Sequence, residues 1–143
     1  MSVFSGVNHV GYVVSDLDLA ARFVTDVLGF EEVEGRSGVN FDPDGDLLTE
    51  RFGVHPRARG QFRFFRGGDT LVELLAWEAP DYVGEPAHNS NLAGRHLAVS
   101  TSDMEAAKAA ITAFGGSEIR QPNERGYIYV KTPFGLEVQL MPV

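Results

Sequence analysis

Short apolar runs of strand-like alternation, each set broken by one stretch of helical spacing, occur twice along this chain in the same order. Val7 to Val14 is β-branched and apolar, which predicts a buried strand. Leu17, Ala20, Ala21, Val24 and Leu28 then fall at helical spacing, with Ser15 or Asp16 as N-cap and Gly29 as the stop. Phe30–Gly35, Gln61–Arg66 and Leu71–Trp77 predict three strands. The stretch 41–59 between the first two is rich in Asp, Pro and Gly, and predicts a loop with a helical turn around Leu47–Phe52. The first half therefore reads β-α-β-β-β.

The second half repeats that order. Arg95–Ser100 predicts a strand and Met104–Phe114 a helix. Strands follow near Ser117–Arg120, Tyr127–Thr132 and Leu136–Met141. The sequence itself is duplicated: His9-Val-Gly-Tyr-Val-Val-Ser15-Asp16-Leu17 returns as His96-Leu-Ala-Val-Ser-Thr-Ser102-Asp103-Met104. The closing runs Leu71-Val-Glu73-Leu74 and Glu137-Val-Gln139-Leu140 also superpose. The modules are 1–78 and 95–143, joined by a polar connector at 79–94 that contains Pro80, Gly84 and Pro86. Each is too small to stand alone, so a single domain over 1–143 is expected.

Strand alternation sorts these residues by face. His9, Gly11 and Val13 share one face of the first strand, and His96, Ala98 and Ser100 share the matching face of its copy. The opposite faces are larger and more apolar, so they are expected to pack on the helices and leave the histidines on the concave side. In the closing strands Glu73 lies opposite in phase to Val72 and Leu74. Leu136, Val138 and Leu140 mark the helix side of the second copy, which turns Glu137 and Gln139 inward with the histidines.

Composition narrows the chemistry. With 12 basic and 20 acidic residues the net charge is −8, which opposes contact with nucleic acid or anionic membranes. The absence of cysteine excludes disulfides, thiolate nucleophiles and thiolate metal sites. No segment is long and apolar enough to span a bilayer and the first residues lack a leader pattern, so a cytoplasmic location is expected.

Asn8-His9-Val-Gly, Ser15-Asp-Leu, Leu28-Gly29-Phe30, Leu71-Val-Glu73-Leu74, Gly94-Arg-His96-Leu-Ala and Thr132-Pro-Phe-Gly-Leu-Glu-Val-Gln139-Leu together resemble the vicinal oxygen chelate superfamily. That superfamily includes glyoxalase I, methylmalonyl-CoA epimerase, bleomycin-resistance proteins and extradiol dioxygenases. The resemblance implies an α+β fold in which two tandem βαβββ modules form a cup-shaped mixed sheet with helices on its outer face. It also implies one divalent metal ion (Mn, Co, Ni, Fe(II) or Zn), held by His9, Glu73, His96 and a fourth residue. A small-molecule substrate and a homodimer are implied with it, and which chain supplies each module of a cup is left open.

The fourth ligand is where this sequence departs from its relatives. Their closing strand commonly carries Glu where Gln139 stands. Gln139 is preferred here over Glu137, because the internal repeat sets Gln139-Leu140 on Glu73-Leu74. Two neutral histidines, one carboxylate and one amide leave a dication with about one net positive charge, a looser but more electrophilic site. Such a site suits an enolate or enediolate of a small oxo-acid, thioester or hemithioacetal, in isomerase, epimerase or lyase chemistry. Glu73, partly released from metal, or an unligated Glu137 would move the proton.

Blander readings stand beside these. A metal-free protein that sequesters an antibiotic in the same cup is the alternative, and a ring-cleaving dioxygenase a weaker one, since it needs a carboxylate where Gln139 stands. His55 and His88 are expected in solvent-exposed loops, with a place in a lid as the alternative for His88. Trp77, Phe62 and Phe64 read as core or cavity wall. Asp42-Pro-Asp-Gly-Asp46 reads as a turn, because the Glu and flanking helices of a calcium loop are missing.

Overall fold

The computed structural model describes residues 3–120 and 124–143. In chain order the elements are β1 (Val10–Val13), α1 (Leu17–Arg22) continued by a π-helical turn (Phe23–Val27), β2 (Glu31–Phe41), α2 (Leu47–Phe52), β3 (Arg59–Gly67) and β4 (Thr70–Glu78). Then follow β5 (His96–Thr101), α3 (Met104–Ala113), β6 (Ser117–Glu118), β7 (Ile128–Lys131) and β8 (Glu137–Pro142). Two units result: the residues up to Thr25 with Gly29–Tyr82, and Asp26–Leu28 with Val83–Val143.

Both units carry the same four-stranded mixed sheet, which makes the fold α+β with tandem βαβββ modules. The strand orders are β1-β4-β3-β2 and β5-β8-β7-β6. In each, the first strand runs parallel to the last and the other pairs are antiparallel. A parallel first strand needs a crossover, and α1 and α3 supply it. α1 lies against β3 and β4, and α3 against β6 and β8. Alternate residues of each closing strand feed the core: Val72 and Leu74 in one unit, Val138 and Leu140 in the other, all almost fully buried. Burial of each such side chain is worth about 1.5–3 kcal/mol.

Three elements differ from the sequence expectation. β1 begins at Val10 rather than Val7, so His9 stands just ahead of the strand. β2 runs on to Phe41 because its later residues pair with β3 although none of them is buried, and apolar alternation cannot reveal such a strand. Gly35, at φ +73, lies within the irregularity between Glu32 and Ser37 where the β2–β3 register shifts. The first helix is α-helical only to Arg22. There the Thr25 hydroxyl donates to the carbonyls of Ala21 and Arg22, at 3.0 and 3.2 Å, and the turn widens to π.

The turn between β7 and β8 fixes the register that the candidate residues depend on. The Thr132 hydroxyl donates to the Leu136 carbonyl at 2.7 Å and accepts from the Leu136 N–H at 3.0 Å. Gly135 takes φ +87, where a side chain would be strained. Lys131 is thereby set opposite Glu137, and Tyr129 opposite Gln139. Among the described residues no helix is long and apolar enough to cross a membrane.

Candidate functional site

The first unit gathers His9 and Glu73. Glu73 projects from the face of β4 opposite the buried Val72 and Leu74, in register with Gly11 of β1. A Cβ at Gly11 would stand 3.3 Å from Glu73 Oε2, so glycine leaves the carboxylate room. His9 Nε2 lies 3.4 Å from that same oxygen. The His9 Nδ1–H donates to Asn8 Oδ1 at 2.8 Å. With its proton on Nδ1, the ring turns an Nε2 lone pair toward an anionic oxygen. Two acceptors facing each other at this distance call for a shared cation or a proton, which is the arrangement metal-ligating histidines adopt.

The second unit repeats the frame with altered chemistry. Ala98 pairs with Gln139 as Gly11 pairs with Glu73, and His96 precedes Ala98 by the interval that separates His9 from Gly11. Gln139 thus occupies the position of Glu73. Glu137 pairs with His96 itself and matches Leu71 of the first unit. The Glu137 carboxylate accepts a hydrogen bond from the Asn89 side-chain amide of the connector.

Aromatic rings extend the repeat, and they include Phe62 and Phe64, which the sequence marks as core or cavity wall. His9 meets Phe64 edge to face at 5.0 Å between centroids, and His96 meets Tyr129 likewise at 5.2 Å. Behind them, Phe62 packs on Phe64 at 6.2 Å and Tyr127 on Tyr129 at 6.1 Å, both perpendicular. Each imidazole is therefore oriented by a ring that stands cross-strand from Glu73 or Gln139. The Arg36 guanidinium lies over the Phe64 ring at 3.9 Å and adds a positive charge in the first unit. Nothing in the sequence of β2 marks Arg36 for this. The second unit's rings could have been found by aligning the two halves through β3 and β7.

Other singled-out residues fall as follows. His88 is exposed, as expected, and lines two cavities beside Glu137 and Lys131, of about 120 and 140 Å³. His55 is half-buried rather than exposed, because its Nδ1 accepts the Arg57 N–H at 3.0 Å and ties the ring to its own turn. Asp42 forms the expected turn, its carboxylate accepting from the Leu47 N–H at the start of α2. Trp77 covers Gly60 and packs on Phe52. Among the described residues no three His, Cys, Asp or Glu side chains gather in one place, so no such cluster forms a metal centre by itself.

Two units with one strand order, each offering an imidazole and a carboxylate or amide from parallel first and last strands, define a class of protein. The chain belongs to the Glyoxalase/Bleomycin resistance protein/Dioxygenase superfamily, whose family model matches residues 6–140. It is 31% identical over 145 residues to a 2-epi-5-epi-valiolone epimerase from Actinomyces sp, covering 94% of this chain and 78% of that protein. Among solved structures it resembles a glyoxalase family protein from Bacillus cereus, with a TM-score of 0.78 at 17% identity over 99% of this chain and 95% of that one. It also resembles a variant of the fosfomycin resistance protein FosX from Listeria monocytogenes, solved with Mn(II) and 1S,2S-dihydroxypropylphosphonic acid. There the TM-score is 0.62 at 17% identity, over 97% and 93% of the two chains.

Proposed function

We propose that this protein is a metal-dependent epimerase, which removes a proton from a carbon beside a carbonyl of a small polar oxo compound and returns it on the other face. The observation that carries the reading is the matched register: Glu73 on Gly11 in one unit, Gln139 on Ala98 in the other, each with its histidine. The relationship to an epimerase supports the reaction type. His9, Glu73, His96 and Gln139 are the proposed ligands of one divalent ion from Mn, Co, Ni, Fe(II) or Zn, a choice that follows from mixed imidazole and oxygen donors. When bound, the ion supplies positive charge for an oxygen that becomes enolate-like.

The chain's own groups do the rest. Glu73, beside His9, and Glu137, held by Asn89, are the two carboxylates proposed to take and return the proton. Asn89 keeps Glu137 aimed rather than free to swing. The edge-to-face contacts of Phe64 and Tyr129 hold the two imidazoles in their ligating rotamers.

Two measurements test this. Incubation of 2-epi-5-epi-valiolone, and separately of its phosphate ester, with the protein in heavy water is expected to place solvent deuterium at the epimerised carbon of one of them. No exchange with any of the five ions would reject the reaction type. Competitive metal titration separates the ligands: Gln139→Glu is expected to tighten binding by adding an anionic oxygen, while Glu137→Gln leaves affinity nearly unchanged and slows turnover. Loss of metal from Glu137→Gln alone would make Glu137 the ligand. Unchanged metal content in the double variant His9→Ala, His96→Ala would sink the whole assignment.

A homodimer belongs to the same proposal. The edge strand β1 is preceded by exposed apolar residues Val3, Phe4 and Val7, and Val10 and Val13 within it are themselves more than a third exposed. Exposed apolar side chains at a sheet edge favour pairing with a second copy. Light scattering is expected to give the dimer mass at micromolar concentration, and a monomer throughout would refute it.

A further inference from the structure

Lys131 and Glu137 face each other across β7 and β8, yet they form no ion pair, because the Glu137 carboxylate is engaged by Asn89. Lys131 shares its face with Tyr129, since Ile128 and Val130 on the other face are buried. Two cavities open beside Lys131, both lined by His88, Lys131 and Glu137, and the more polar one is lined as well by Arg120, Asn89 and Tyr129. Among the described residues neither Lys131 nor Arg120 has a carboxylate partner, although acids outnumber bases 20 to 12 in the chain. A lysine and an arginine left unmatched around one polar cavity, with an imidazole at its rim, make a receptor for an anion.

We infer that His88, Arg120 and Lys131 form an anion subsite next to Glu137, which binds a carboxylate or phosphate group carried by the substrate. This rests on the epimerase reading only in assigning the anion to the same substrate. The two cations offset the Glu137 charge and hold the anionic group of the ligand. His88, from the segment ahead of β5, completes the subsite, which lies wholly within the second unit. Glu137 is a like charge to the ligand, so its own presence weakens anion binding.

The test is calorimetric titration of inorganic phosphate, and separately of acetate, into the full chain and its variants. One anion is expected to bind, about tenfold more weakly to Lys131→Met, for loss of one charge-assisted contact. Lys131→Met with Arg120→Gln is expected to bind neither measurably, and Glu137→Gln to bind more tightly. Arg51→Gln, an exposed arginine of α2, is the control and is expected to match the parent. Stronger phosphate binding assigns a phosphorylated substrate, and stronger acetate binding a carboxylated one. Failure of both anions to bind, or equal weakening by Arg51→Gln, overturns the subsite. Metal content measured on the same samples keeps the two readings apart. Anion binding that persists in His9→Ala, His96→Ala leaves the subsite standing without the metal. Metal retained in protein that binds no anion removes the subsite alone.

Discussion

Arg63 of β3 holds three elements together through its guanidinium. Its Nε and Nη2 donate to the two carboxylate oxygens of Glu32 on β2, at 2.7 and 2.6 Å, and Nη1 reaches Asp18 of α1 at 3.3 Å. The hydrogen bonds from Arg63 hold the Glu32 carboxyl below its ordinary 4.5, its charge adding to them and partial burial opposing. An unfolded chain releases that constraint, so the pair stabilises the folded state above pH 4.5. The contribution fades as pH falls from there through the lower folded value. Glu32 is more than a third exposed, so solvent screens much of it, and Glu32→Gln is expected to cost about 0.5 kcal/mol at neutral pH. Melting curves of parent and variant should therefore converge in acid. A gap that stayed constant as the pH fell ever further below 4.5 would count against it. None of this is legible in the sequence, where Arg63 and Glu32 are two charges on separate strands. The equivalence of His9 with His96 and of Glu73 with Gln139 was legible, because a duplicated pattern marks matching positions without any structure. Lys131 and Asn89 were not: Asn89 lies outside the repeat, and Lys131 matches Arg66, which stands opposite Leu71 rather than a carboxylate.

Both crossover helices open on the same device. Asp16 Oδ1 accepts the Leu19 N–H at 2.8 Å, and Asp103 Oδ1 the Ala106 N–H at 2.9 Å. The repeated Ser-Asp pair had left the choice of cap open, and aspartate takes the role in both copies. Asp16→Ala and Asp103→Ala are each expected to cost about 1 kcal/mol, with asparagine restoring most of it. Urea denaturation with an unchanged slope would show the loss as pure stability, and no shift in midpoint would mean that the caps are idle. The order of elements along the chain and the helix starts followed from spacing and capping residues, and even the turn at Leu47–Phe52 stands where expected. Helix type did not follow: Leu17, Ala20, Ala21, Val24 and Leu28 fit an α-helical stripe, and the switch to a π turn rests on how the Thr25 hydroxyl competes for carbonyls. The extent of β2 was hidden for the opposite reason, since its stability comes from backbone pairing to β3 and little from burial.

At the scale of the molecule the two units share a skeleton and differ in polarity. Phe62 and Phe64 give way to Tyr127 and Tyr129, and Glu73 gives way to Gln139, at matched positions. Trp77 breaks the match in another way. It is the chain's single tryptophan, and it is laid so closely over Gly60 that a Cβ there would sit 2.4 Å from the indole. Gly60→Ala is accordingly expected to cost about 1–3 kcal/mol by overpacking, read as a lower urea midpoint. The indole also belongs wholly to the first unit, packed on Phe52 of α2. Its emission is therefore an optical tag on one half of the chain, whereas far-ultraviolet dichroism averages over both. If the halves melt as one cooperative body, the two signals will trace a single curve with temperature, and an early fluorescence change would show the first unit coming apart on its own.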